Sequence, residues 1–378
     1  MECSKKLIWN KDRKEELLHM SVTAPRKDIY EKVLHNWDNI AKPLDGMGRF
    51  ETLIAQIGAI WGSDKIDISK KAVIIMCADN GIVEEGISQS GQEVTVAVAA
   101  NMGIGKSSVG KMAQAIGVDT IPVDIGINSS KTITGVLDRK VRRGTRNFRK
   151  EPAMTEEETL QAIFTGIEMV AACKAKGYQI LATGEMGIGN TTTSSAIAAV
   201  LLACNAEMVT GRGAGLSDEK LFHKQNIITE AIEKYDLRKA DALRVLMTVG
   251  GLDIAGLTGI CIGGALHHIP IVLDGVISMT AAFVAERLVP GSRAYCLPSH
   301  RGKEPAMKLI AQQLGIEPVI DGKMALGEGT GAVMMLSLLD MALCIYGDRT
   351  TFSDMQIEQY ERYERKVNSI DDDIDYRR

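Results

Sequence analysis

The chain has 378 residues, 24% of them charged, with a formal net charge of −4. That balance, with an aromatic content of only 4%, argues against a nucleic-acid-binding protein, which uses a basic surface and base-stacking platforms. The length is sufficient for a sizeable core, as one large domain with an appendage or as two domains.

Residues 1–62 read as helical, with apolar residues at helical spacing such as Leu17, Leu18 and Val22, then Ile29, Val33 and Leu34. The first twenty residues are too charged for a signal peptide. From residue 71 short apolar, β-branched runs alternate with longer Ala-rich segments. The expected strands are 71–78, 120–126, 178–184, 269–275, 293–297 and 317–321. The expected helices lie near 93–116, 155–176, 190–203, 218–248, 252–267, 278–288, 303–314 and 329–346. Strands that are continuous apolar runs, alternating with helices, specify an α/β fold with a parallel sheet covered on both faces. Ligands in such folds bind beyond the carboxyl ends of the strands. That edge is where the polar glycine loops fall. Residues 138–152 form a basic loop, and the charged stretch 348–378 reads as an exposed helix with a frayed end. The apolar stretch 242–288 is interrupted by Asp253, His267, His268 and Asp274, so no window of about 20 apolar residues suggests a membrane span.

Seven scattered cysteines form no CxxC or Cys/His cluster, so no metal site is expected. Most sit in apolar runs as small buried thiols, which points to a reducing cytoplasm. GIGKSSVGK (103–111) matches half of a phosphate-binding P-loop, but position 100 is Ala where the loop requires Gly. It reads as an ordinary helix surface. GEMGIGNTT (184–192) fails the dinucleotide fingerprint because Thr192 replaces its third glycine, yet it remains a strand, glycine loop and helix, with Asn190 or a following threonine as N-cap.

Within that loop Glu185 is set against the anion preference of helix N-terminal amides, so it needs a chemical reason to be there. LGEGTGA (326–332) repeats the pattern with Glu328. A carboxylate there partners the dipole of the following helix, worth roughly 0.3–1 kcal/mol, or serves as a general base, worth roughly 10²–10⁴ in rate. VTGRGAGLSDEKLFHK (209–224) is a third glycine loop, with Ser217 as N-cap and Lys224 two turns into a helix, reaching a phosphate or simply solvated. His267 and His268 read as polar groups at a helix end, while His300 lies in a loop at the ligand edge.

Together these segments resemble the nicotinate-nucleotide–dimethylbenzimidazole phosphoribosyltransferases of cobamide lower-ligand assembly. The resemblance rests on KPLDGMGRFETLIAQI (42–57), CADNGIVEEGIS (77–88), QEVT (92–95), TGEMGIGNTTTSSAI (183–197), TGRGAGL (210–216) with Lys224, VGGLDIAGLTG (249–259), IPIVLDGVISMTAA (269–282) and LGEGTGA. It implies a Rossmann-like large domain with a parallel sheet and helices on both faces, plus a small helical domain. Residues 1–62 would contribute to the small domain, 63–346 would form the phosphoribosyltransferase domain, and 347–378 a charged helical tail. It further implies a homodimer that needs no metal; with the composition, the chain is expected to be cytoplasmic, with no cofactor and no nucleic-acid or membrane partner.

The implied reaction moves 5-phosphoribosyl from nicotinate mononucleotide to 5,6-dimethylbenzimidazole, giving nicotinate and α-ribazole 5′-phosphate with inversion. By the same resemblance Glu328 is the catalytic base. Glu185, Gly187, Gly189 and Asn190 form the nucleotide loop, Gly211, Gly213 and Lys224 contact phosphate, and Gln92 and Leu326 neighbour the aromatic base. The chain departs from the family at KPLDGMGRFE, at SHRGKEP and at Asp253, where the family has KPxGSLGRLE, AHxSAEPGH and more often Glu. Adenine, another benzimidazole or a phenol are therefore alternative acceptors, and a non-catalytic nucleotide-binding protein is the alternative of another class.

Overall fold

The computed structural model describes residues 13–213 and 215–362. Six strands form one sheet in the order β3-β2-β1-β4-β5-β6, and every pairing is parallel. They are β1 (Lys71–Ala78), β2 (Asp119–Gly126), β3 (Leu137–Asp138), β4 (Ile180–Met186), β5 (Ile271–Leu273) and β6 (Cys296–Pro298). The strand order reverses between β1 and β4, where a crevice opens beyond the strand ends.

Every residue of β1 is buried, and its alternation splits the core in two, because successive side chains point to opposite faces. Ala72, Ile74, Met76 and Ala78 pack in one layer with the helices Glu156–Ala175, Asn190–Leu201, Leu252–Leu266 and Val276–Leu288. Val73, Ile75 and Cys77 pack in the other with Lys27–Asp38, Arg49–Trp61, Glu93–Gly103, Ser108–Ala115 and Thr330–Gly347. The ring of Trp37 lies 5.2 Å from that of Tyr346, tying the first of these helices to the last. Thr330–Gly347 is long and apolar enough to cross a membrane, but half of it is buried in this layer, as suits a core helix.

In the first layer glycines let two helices touch backbone to backbone. A Cβ on Gly166 would lie 2.1 Å from the Gly256 carbonyl oxygen, and one on Gly259 would lie 1.8 Å from that of Ile163.

Five of the six expected strands are present. Residues 317–321 instead make a single bridge, His300 to Ile320. Pro318 cannot donate to a ladder, and the segment borders a strand only three residues long. The remaining strand, Leu137–Asp138, was not expected; it is too short to show periodicity.

Two expected helices are broken by local chemistry. The 93–116 run stops at Gly103, turns through Gly105 at φ 70°, and restarts where the Ser107 hydroxyl accepts from Gly110 N–H at 3.1 Å. The 218–248 run stops at Lys234 and restarts where Asp241 accepts from Arg244 N–H at 2.8 Å. The expected C-terminal helix is absent over 348–362. Phe352 is buried there, and Arg362 pairs with Asp38 at 2.8 Å and Asp45 at 2.7 Å, contacts that an extended segment can reach. The rest of that tail and residues 1–12 lie outside the described residues.

The cations of the basic loop are paired with acids on neighbouring elements: Lys140 with Asp124, Arg146 with Glu158, Arg149 with Glu85 and Lys150 with Glu84, all at 2.6–2.8 Å. The loop presents no uniform cationic patch.

Candidate active site

The segments following β4, β5 and β6, with residues 87–89 beyond β1, border one cavity of about 340 Å³. β4 ends in the glycine loop, and its register sets Glu185 beside Met76 of β1. Gly184 is required where the two motifs meet, since a Cβ there would stand 2.4 Å from the Glu328 carbonyl oxygen. Gly327 in turn lies against the Glu185 carboxyl group, where an added Cβ would come within 2.6 Å of Oε1. Loops far apart in sequence are therefore in direct contact, and both carboxylates border the same cavity.

Glu328 occupies the left-handed region at φ 63°, between Gly327 at 82° and Gly329 at 96°. Such a conformation costs a residue with a side chain about 1–3 kcal/mol and needs support from its surroundings. Asp274, at the end of β5, supplies it. Its buried carboxylate accepts from the N–H groups of Gly329 (3.2 Å), Gly331 (2.8 Å) and Ala332 (3.1 Å), so it caps the helix Thr330–Gly347 from a different strand. His300 packs beside it, Nδ1 3.8 Å from Asp274 Oδ1, and leaves no room for a side chain at Gly331. The Glu328 carboxylate accepts from Val109 N–H at 3.1 Å, at the N-terminus of the helix capped by Ser107.

Glu185 accepts a hydrogen bond from the Asn190 side chain. Burial first, and the nearby Asp253 second, push its carboxyl up to about 8, so at neutral pH it carries a proton. Asp253 is fully buried at the start of the helix Leu252–Leu266. Its Oδ2 has no hydrogen-bond partner among the described residues, and burial pushes the carboxyl up to about 6. Lys224 is also fully buried. Its ammonium donates to Thr191 Oγ1 at 2.9 Å and the Gly211 carbonyl at 3.4 Å, and burial lowers its pKa to about 8. A buried cation held by neutral groups beside a glycine loop makes a subsite for an anion.

Of the expected site residues, Glu185, Gly187, Gly189, Asn190, Gly213, Lys224, Leu326 and Glu328 border the cavity, and so does His300. Gly211 stands just behind it, under Lys224. Gln92 is not among the lining residues: its amide donates to the Asn80 carbonyl at 3.3 Å and accepts from Asn128 at 2.9 Å. The N-cap of the helix Asn190–Leu201 is Gly189 at φ 95°, not Asn190 or a threonine, because the Asn190 side chain is engaged with Glu185.

Sequence reasoning did not single out Asp274, Glu304 or the Val109 amide. Asp274 had a signal, an acid directly after a buried apolar strand; Val109 had none. A separate carboxylate group, Asp38, Asp45 and Glu51, brings its oxygens within 4.8 Å of one another. Arg362 and Lys42 pair with it, the latter 2.6 Å from Glu51.

Comparison with known proteins agrees with this architecture. A phosphoribosyltransferase family model matches residues 22–357. The nicotinate-nucleotide–dimethylbenzimidazole phosphoribosyltransferase of Acetivibrio thermocellus is 45% identical over 89% of this chain and 95% of its own length. The protein of the same name from Ruminiclostridium cellulolyticum is 42% identical over 89% and 96%. The crystal structure of CobT from Thermus thermophilus superposes with a TM-score of 0.83 at 33% identity, covering 88% of this chain and all of that one. The chain is a member of the nicotinate-nucleotide–dimethylbenzimidazole phosphoribosyltransferase family.

Proposed function

We propose that this chain transfers 5-phosphoribosyl from nicotinate mononucleotide to 5,6-dimethylbenzimidazole, releasing nicotinate and α-ribazole 5′-phosphate for cobamide nucleotide-loop assembly. The observation that carries this reading is the meeting of Glu328, Glu185 and the buried Lys224 around one cavity. The phosphate rests on Lys224 and the amides of the loop at Gly211 and Gly213, and the ribose lies over Glu185, Gly187, Gly189 and Asn190. Glu328 takes the proton from one ring nitrogen of the benzimidazole while the other attacks the anomeric carbon. The bond to nicotinate breaks with its electron pair returning to the pyridinium ring, which needs no acid. Glu185, protonated at neutral pH, keeps its charge away from the dianionic phosphate and donates a hydrogen bond to the nucleotide. Positioning two reactants in one pocket supplies much of the acceleration.

Leu326, whose apolar side chain is exposed at the cavity rim, offers a surface to the aromatic acceptor. We place Gln92 further out, as a neighbour of the base reached through Asn80 and Asn128. The reaction runs in a reducing cytoplasm, in keeping with free, mostly buried thiols among the described residues. The working unit is a homodimer, for which exposed Met334, Met341 and Ile345 leave an apolar stripe on the last helix; sedimentation would measure it.

The test is product analysis with nicotinate mononucleotide and dimethylbenzimidazole, adenine, phenol and p-cresol as competing acceptors. Nicotinate and α-ribazole 5′-phosphate are the expected products. A preferred phenolic product would overturn the acceptor, and no nicotinate release at all would leave a nucleotide-binding protein.

A further inference from the structure

The subsite assigned to the substrate phosphate holds an anionic side chain in this structure. Glu304 stands in the loop between β6 and the helix Ala306–Leu314. Its Oε1 accepts from Gly213 N–H at 3.0 Å. Its carboxyl group also lies on Gly211, where a Cβ would come within 2.3 Å of Oε2. Among the described residues Glu304 is the charged neighbour acting on Lys224, whose own hydrogen-bond partners are neutral. The carboxylate thus takes the amide that a phosphate oxygen would use, within the field of the nearby Lys224. Two anions cannot share one amide N–H, so one must leave when the other arrives.

We infer that Glu304 is an internal occupant of the phosphate subsite, displaced by the phosphate of the incoming nucleotide and setting its apparent affinity. The inference rests on the reading of Gly211, Gly213 and Lys224 as the phosphate cradle. In the empty site Glu304 ties down the glycine loop through Gly213 N–H, and its charge favours the buried ammonium of Lys224. The same contacts mean that only the fraction of molecules with Glu304 swung away can accept phosphate, which weakens apparent binding by that fraction.

The experiment is calorimetric binding of inorganic phosphate and of nicotinate mononucleotide, without acceptor, to the wild type and to Glu304→Gln, Glu304→Ala and Lys224→Met. Both Glu304 variants are expected to bind both ligands roughly three- to tenfold more tightly, and Lys224→Met to bind both more weakly. Unchanged affinity in the Glu304 variants would overturn the inference. So would weaker nucleotide binding with phosphate binding untouched, since Glu304 would then be a ribose contact. If Lys224→Met binds phosphate as the wild type does, the cradle itself is misplaced and the inference falls with it.

Discussion

The amide of Val109 donates a 3.1 Å hydrogen bond to the carboxylate of Glu328, although 219 positions separate them. One oxygen of the proposed base is thereby fixed by the N-terminus of an eight-residue helix. Its backbone is fixed independently by Asp274, through the amides at 329, 331 and 332. A carboxylate held at both its backbone and one oxygen is pre-positioned, which is what the proposed general-base role would ask of it.

Replacing Glu328 by Gln keeps the shape and removes the proton acceptor. Turnover should fall roughly 10²-fold or more, while the dissociation constant for nicotinate mononucleotide stays close to that of the wild type. Steady-state kinetics with dimethylbenzimidazole, alongside binding without it, measures both. Undiminished turnover would remove the assignment.

Alkaline pH should act on substrate capture. Lys224, lowered to about 8, is charged below that pH and neutral above it. Glu185, raised to about 8, is protonated below and anionic above. Both changes make the pocket more negative as pH rises, so kcat/KM for the nucleotide, which reports the free enzyme, should decline above about pH 8. A profile that stays level to about pH 10 contradicts both charge assignments.

Asp274→Asn would place an amide where three N–H groups converge. Loss of these charge-assisted bonds should destabilise the protein by about 2–4 kcal/mol and lower kcat through loosening of the 327–329 turn. Urea denaturation and turnover read the two effects. A variant as stable as the wild type would show that Asp274 does not anchor the loop.

Gly259→Ala tests the helix pairing behind the site. A methyl group 1.8 Å from the Ile163 carbonyl oxygen must push the helices Glu156–Ala175 and Leu252–Leu266 apart, at a cost of about 1–3 kcal/mol or more. Thermal unfolding would report it, and KM for the nucleotide should change little. A melting temperature equal to that of the wild type would refute the close approach.

Much of this is visible in the chain. The short, β-branched apolar run within 71–78 reads as a buried strand, and every residue of that strand is buried. Glu185 and Glu328 stand out because each sits among glycines before a helix, where a carboxylate has no structural necessity. Ser217 is the N-cap that its position ahead of Asp218 and Glu219 indicates.

What sequence cannot supply is proximity across the sheet. GIGKSSVGK reads as plain helix surface, since nothing near it in the chain signals a carboxylate 219 residues away. Glu304 falls at the start of the expected helix 303–314, and only the fold sets it on Gly213 and near Lys224.

The sequence by itself determined most of the strands and several helix starts, and singled out the side chains proposed for the chemistry, because periodicity, capping and glycine freedom act over a few residues. The tertiary structure alone decided which of those side chains meet, which carboxyl holds a proton and which anion rests on the glycine loop. Those outcomes depend on burial and on charges brought together by strand order, and neither exists until the sheet has assembled.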